Sequence, residues 1–333
     1  MGHRKYSAPR RGSIAFRPRA RAKSLEARMR TFPSERSEGV GFLGFAGFKV
    51  GGIEVLTVDD REKTPNFGKH LLNPSTIIAV PPIRIIGIRG YAYAEDAKRA
   101  IFDVYGKESV KYLSRKLKAK YSEEQFEKVA KILDSATEIV ALVCIIPHDI
   151  GISQKRPFIF EIPVSAQDTK KCYEFLKERL GKEIKVTEVF KPGQYIDVSA
   201  ITRGKGVEGP ITRFGVKRKQ HKSRKSVRAV GTLGPISPAV VMYTVPRQGQ
   251  RGFHQRTEYN KRILLISSPE QDKGKAINPK GGFKHYGTVT SDYIVVRGSI
   301  PGVAKRLVKL RQPLRYSNRK ITEPKILEIM TQQ

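Results

Sequence analysis

A chain of 333 residues with 64 Lys and Arg against 31 Asp and Glu carries a formal charge of +33. A compact fold with that excess repels itself unless a polyanion neutralises it; 39% hydrophobic residues is low for a self-contained globule and too high for full disorder. No apolar run approaches the ~18 residues of a spanning helix and no long basic amphipathic helix offers itself to a bilayer, so the expected polyanion is nucleic acid and no membrane partner is expected.

Residues 1–36 hold eleven Lys and Arg, among them Arg10, Arg11, Arg17, Arg19 and Arg21, against Glu26 and Glu35. Prolines, glycines and single apolar residues interrupt the charges, so burial alone cannot repay the entropy of ordering them. Tyr6, Ile14, Phe16 and Phe32 supply stacking and anchoring groups, and residues 1–38 therefore read as an arm that orders on RNA. The segment lacks the apolar region of a secretory signal. A transit peptide is opposed by the missing amphipathic pattern and by Pro9 and Pro18.

From Gly39 the composition changes. GVGFLGFAGFKVGGIEVLTVDD and STIIAVPPIRIIGIRGYAYAED read as short strands punctuated by Gly and Pro. Comparable blocks return at 185–204 and 286–310. Short strands in separated blocks predict one β-barrel built from 39–94, 185–213 and 283–333, the last with a C-terminal tail.

Two unlike insertions interrupt that barrel. Residues 95–184 read as α/β. Ser122 and Gln125 have capping-box spacing ahead of Phe126, Val129, Ala130 and Leu133 on one helical face. Asp168 caps a helix with Cys172, Phe175, Leu176 and Arg179 at helical spacing and Gly181 as its stop. Between them 139–146, IVALVCII, is a strand covered on both faces. Residues 214–282 read instead as a long extension with scant regular patterning, which makes sense only when packed against something else. VPRQGQRGFHQRTEYNKR, 245–262, lacks the apolar spacing of a helix or strand.

Catalytic and ligand-binding motifs find little support. There is no GxxxxGK[ST], and GFLGFAGFKVGG has neither that lysine nor a following helix. The six histidines are scattered, so no metal is expected, nor any cofactor or small-molecule substrate. His148-Asp149 reads as a turn after Pro147. Cys144 and Cys172 sit in apolar patterns without CxxC spacing and read as buried thiols of a reducing cytoplasm.

Nucleic-acid binding has positive support. Arg203 to Arg228 holds ten Lys and Arg against Glu208 alone. Lys217, Arg218, Lys219, His221, Lys222, Arg224, Lys225 and Arg228 are the candidates for phosphate neutralisation. Arg247, Gln248, Gln250, Arg251, His254, Gln255, Arg256, Lys261 and Arg262 suit close polar contacts, with Phe253 and Tyr259 stacking or packing. His254 beside glycines also invites an acid–base reading, which the surrounding cations disfavour.

Four blocks then carry a resemblance: GFLGFAGFKVG, KPGQYIDVSAITRGKGVEGPITRFGVKRK, LGP with VPRQGQRGFHQRTEYNKR, and GGFKHYGTVTSDYIVVRGSIPGVAKRLVKLR. In this order they resemble the archaeal and eukaryotic form of the universal L-three family of large-subunit ribosomal proteins, over nearly the whole chain. The resemblance implies a mainly β fold: a six-stranded translation-factor-like β-barrel with an α/β insertion. It also implies a long central extension and a basic arm that enter the rRNA. The extension would reach toward the peptidyl transferase centre, where RNA performs the chemistry. Large-subunit rRNA and neighbouring large-subunit proteins are the implied partners, in cytoplasmic ribosomes. Two departures stand out: Ile236 follows Leu-Gly-Pro where members commonly carry Trp, and Gly51-Gly52-Ile53 replaces a usual Gly-Met-Thr. A basic RNA-modifying enzyme or translation factor on a similar barrel is the alternative, and it requires a cofactor or nucleotide pocket.

Overall fold

The computed structural model describes residues 12–13, 17–33, 39–94, 97–107, 121–165, 168–224, 226–269, 277–315 and 321–330. They fall into two compact units: Met1–Leu25 with Ile201–Gln255, and Glu26–Ala200 with Arg256–Gln333. The chain is mainly β. Its strands are β1 Gly41–Phe42, β2 Gly44–Val58, β3 His70–Ala79, β4 Ile83–Ala94, β5 Ala97–Tyr105, β6 Glu138–Ile145, β7 Phe158–Ser165 and β8 Glu183–Ile184. They continue with β9 Tyr195–Ile201, β10 Val207–Glu208, β11 Gly249–Gln250, β12 Gln255–Ser267, β13 Tyr293–Arg297, β14 Leu307–Arg311 and β15 Ile326–Met330.

The larger unit is organised by a sheet in the order β14-β9-β12-β13-β3-β2, in which β2 pairs again with β14, so the hydrogen-bonded order returns to its start. A closed order leaves six strands without a free edge along the paired stretch, and β15 is added outside it on β2. One face of this ring, traced through the register, carries Phe45, Ile78, Val198, Ile294, Val296 and Leu310, all essentially inaccessible. Each such aromatic or branched side chain contributes about 1.5–3 kcal/mol relative to exposure. Gly47 is required by close approach: a Cβ there would lie 2.6 Å from the Ala79 carbonyl oxygen.

Two sequence expectations change here. The glycine-rich block 44–58 is one fifteen-residue strand, where the sequence reading divides it. It pairs with β3 from Phe48 to Val58, with β14 over Gly44–Phe48 and with β15 over Glu54–Thr57. Ladders on both sides override the weak propensity of Gly, and a register shift between Lys49 and Gly52 absorbs the irregularity. The second change is β12, which occupies much of a segment expected to be irregular. Its polar front, QRTEYNKR, is held by side-chain bonds: Thr257 Oγ1 donates to Ser199 Oγ at 3.2 Å and Asn260 N donates to Asp197 at 3.0 Å. Only Ile263 and Leu264 are fully buried, so the strand signal is confined to its far end.

The second sheet runs β1-β7-β6-β4-β5 with β8 on β4. β6 is buried from Ile139 to Ile145, the strand covered on both faces that IVALVCII suggests. Helix Glu123–Ile132 buries Val129, and helix Thr169–Glu178 buries Cys172, Tyr173 and Leu176. Asp168 accepts a hydrogen bond from Lys170 N as an N-cap, and Gly181 has φ +81. Ser122 occupies the N-cap position of the first helix without a side-chain cap bond; Glu123 and Glu124 in the first turn supply the favourable charge instead. His148 and Asp149 lie in the 3-10 turn Pro147–Ile150. Cys144 and Cys172 are buried and form no disulfide; burial, then the nearby Asp168 charge, pushes the Cys172 thiol up to about 11.

Candidate nucleic-acid interface

The smaller unit concentrates charge. Residues 1–25 and 201–255 hold twenty Lys and Arg against one acid, Glu208, while the other 253 residues hold 44 against 30. Its scaffold is a zipped base. Val207 and Glu208 pair with Gln250 and Gly249, and the bonds Lys205 N to Arg251 O, Arg251 N to Gly206 O and Thr202 N to His254 O extend the ladder. Gly252 is forced by this zipping: its φ is +72, and a Cβ would fall 2.0 Å from the Arg203 carbonyl oxygen. The turn Pro210–Phe214 begins with Pro at its first position and ends at Gly215, φ +66.

Arg213 and Phe214 organise what surrounds that base. The Arg213 guanidinium donates to Gln250 O at 3.0 Å and Arg247 O at 3.1 Å. Arg19, Arg213 and Arg17 lie over the Phe214 ring at 4.3, 5.1 and 5.2 Å from its centroid. The arm is fastened to the extension by Ala22 N to Phe253 O at 2.8 Å, by His254 Nδ1 against Ala20 O at 2.9 Å and by Arg19 Nη1 to Arg213 O at 3.3 Å. Burial, reinforced by Arg17, lowers the pKa of Arg213. Glu208, the one acid of this unit's sequence, is paired with Arg251 at 2.7 Å, and three guanidiniums share the Phe214 ring. Such a cluster is stabilised by cation–π attraction and by external anions.

The sequence-predicted residues sort into groups. Arg21, Lys217, Arg218, Lys219, His221, Lys222, Arg224, Arg228, Arg247, Gln248 and Gln255 are exposed on this unit. Arg17, Arg19, Gln250, Arg251, Phe253 and His254 are half-buried and build it; Gln250 Nε2 donates to the Arg251 and Gly252 carbonyls. Arg10, Arg11 and Lys225 lie outside the described residues. Arg256, Tyr259, Lys261 and Arg262 belong to the larger unit, on β12. There Tyr259 stacks under Arg315 at 4.7 Å and Lys261 pairs with Glu258 at 3.1 Å. Arg213 and Phe214 escape the sequence reading because one Arg-Phe pair in a cationic run carries no periodic signal. Ile236, after Leu-Gly-Pro, is 96% exposed, and Val240, Met242 and Tyr243 near it are exposed too.

Arg262 is committed internally. Both terminal nitrogens of its guanidinium bond Asp60, and Nη2 also reaches Thr322 O at 2.9 Å. Bonding to Arg262 outweighs burial and, with Thr322, lowers the Asp60 carboxyl to about 2. A depressed carboxyl contributes stability that is complete above its unfolded value near 4 and lost as pH falls through about 2. Asp60→Asn should therefore flatten the acid limb of the stability curve between about pH 4 and 2, read by urea denaturation at stepped pH; an unchanged limb would remove this pair from the acid response.

The similarity to known proteins follows both units. The model of the family described as Ribosomal protein L3 matches residues 1–332. The chain belongs to the ribosomal protein L3 family. It is 42% identical to large ribosomal subunit protein uL3 of Caldivirga maquilingensis, over 97% of this chain and 96% of the relative. With the proteins of the same name from Pyrobaculum aerophilum and Methanococcus vannielii it shares 41% and 39%, each over 98% or more of both chains. In this L3 family member the matched span takes in the ring of strands, the second sheet and the zipped basic extension alike.

Proposed function

We propose that the chain is a structural constituent of the large ribosomal subunit that binds large-subunit rRNA, supports subunit assembly and performs no catalysis. The observation that carries this reading is the smaller unit: twenty cations and one paired acid on an arm-and-extension scaffold. The exposed Lys217, Arg218, Lys219, Lys222, Arg224 and Arg228 neutralise phosphates, while Arg247, Gln248 and Gln255 make closer contacts. The half-buried Arg17, Arg19 and Arg251 fix the surface on which those groups stand, and His254 positions the arm through Ala20. The closed six-strand order serves as a translation-factor-like barrel. It is built from parts of 39–94, 185–213 and 283–333 together with β12 from the 214–282 stretch, and is interrupted by the 95–184 insertion and by the remainder of 214–282, which reaches toward the peptidyl transferase centre. The chain works in cytoplasmic ribosomes among neighbouring large-subunit proteins. The family assignment leaves the RNA-modifying enzyme and translation-factor alternative without support.

The test is a salt titration of binding to a large-subunit rRNA fragment. About ten phosphate contacts should weaken affinity by ~10³–10⁵ between 50 and 200 mM salt. A flat titration, or absence of the chain from large subunits purified at low salt, sinks the reading.

A further inference from the structure

We infer that the outward face of the three-stranded segment β3-β2-β15 is a docking surface for a basic protein neighbour, and that RNA does not cover it. The register defines this face. Glu54 lies opposite Pro74 and Met330, Leu56 opposite Leu72 and Glu328, and Val58 opposite His70; residues directly opposite share a face of a sheet. The alternate set, Val55, Thr57 and Asn73, is buried, with Ile326 and Ile329 packed against the core. On the outward set Glu54, Leu56 and Val58 of the central strand are half-buried, while His70, Leu72, Pro74, Glu328 and Met330 are exposed, Leu72 to 46% and Met330 to 38%.

Its chemistry is opposite to that of the smaller unit. The outward set holds Leu56, Val58, Leu72, Pro74 and Met330, two carboxylates and one His, with Lys325 beside Val58 at its end as its single cation. Residues 51–74 and 321–330 together carry four Lys and Arg against six acids, in a chain of net +33. A phosphate backbone would meet repulsion from Glu54 and Glu328 and a single cation, Lys325, at the far end of the face. An aliphatic face with two carboxylates set among its side chains suits a protein that covers the apolar groups and brings Lys or Arg to the two acids. β15 is the last strand of its sheet path, so a partner strand can also add to its outer edge. That the neighbour is a large-subunit component rests on the functional reading above; the face itself does not.

The experiment places the photo-crosslinking residue p-benzoylphenylalanine at Leu72 in the full chain, expressed as the sole copy in cells from which large subunits are purified. A second preparation carries the label at Arg218. The expected result at Leu72 is one crosslinked protein whose attached peptide is rich in Lys and Arg. Glu54→Lys with Glu328→Lys should cut that yield about fivefold, as two modest ion pairs would, and leave the Arg218 crosslink to rRNA unchanged. Crosslinking of Leu72 to rRNA, no crosslink in subunits containing the chain, a peptide without basic residues, or a yield indifferent to the charge reversal would each overturn the inference. Where the Leu72 label blocks incorporation, the same label at Met330, on the same face of β15, carries the test. Failure of the Arg218 label to reach rRNA counts against the rRNA reading and leaves the docking face standing.

Discussion

Phe214→Ala should release the basic arm from the extension while the ring of strands melts as before. Phe214 is 8% exposed and carries three guanidiniums on its ring. Truncating a buried Phe costs about 3–5 kcal/mol, and each guanidinium–ring contact adds roughly 0.5–1 kcal/mol at a partly open site. The smaller unit has few other apolar anchors, so the loss falls on local opening. Limited trypsin digestion of the free chain should cut within residues 17–25 at least about tenfold faster, since the open population governs cleavage when reclosing is fast. Binding to rRNA should weaken as the arm pays its ordering entropy again. Phe214→Leu, which keeps bulk and loses the π face, should fall between the two. Equal arm protection in wild type and Phe214→Ala would show that the backbone bonds of Ala22 and Thr202 suffice.

The second large effect lies at Asp197. Its carboxylate is fully buried and accepts from Arg311 Nε and Nη2 at 3.1 and 3.0 Å, from Asn260 N at 3.0 Å and from Leu314 N at 3.1 Å. Arg311 also donates to Thr31 O. Asp197→Ala leaves a buried guanidinium uncompensated and strands two backbone donors, which costs about 3–5 kcal/mol. In a unit of this size each kcal/mol is about 2–4 °C, so thermal unfolding should drop by on the order of 10 °C. Asp197→Leu with Arg311→Met should recover much of the loss, because replacing both partners by apolar groups removes the uncompensated charge. A drop below about 3 °C in the single variant would mean that water or another carboxylate reaches Arg311.

How far the sequence carried the structure depends on where burial leaves a mark. IVALVCII and the Asp168 helix were legible because burial imposes a run or a period on them. β2 was read as fragments because its glycines lower local propensity, and the ladders that hold it come from β14 and β15, some 260 residues or more away in sequence. β12 was missed because its first eight residues are held by hydrogen bonds to Ser199 and Asp197, which no periodicity announces. In the basic unit, cation density identified the right segment and said nothing of the division of labour within it. Which cation builds and which faces outward is decided by single partners: Glu208 for Arg251, Phe214 for Arg17 and Arg19, Asp60 for Arg262.

The fastening of His254 to Ala20 spans 234 residues of chain, and it sets a timetable. Synthesis at about 5–20 residues per second brings His254 into existence roughly 12 to 47 s after Ala20. Throughout that interval the arm has been made and its clasp has not. A nascent chain therefore displays eight unshielded cations from residues 1–25 while the second sheet and most of the ring are still being translated. During those seconds the arm meets whatever polyanion is near the exit of the ribosome that is making it, before its own extension can claim it.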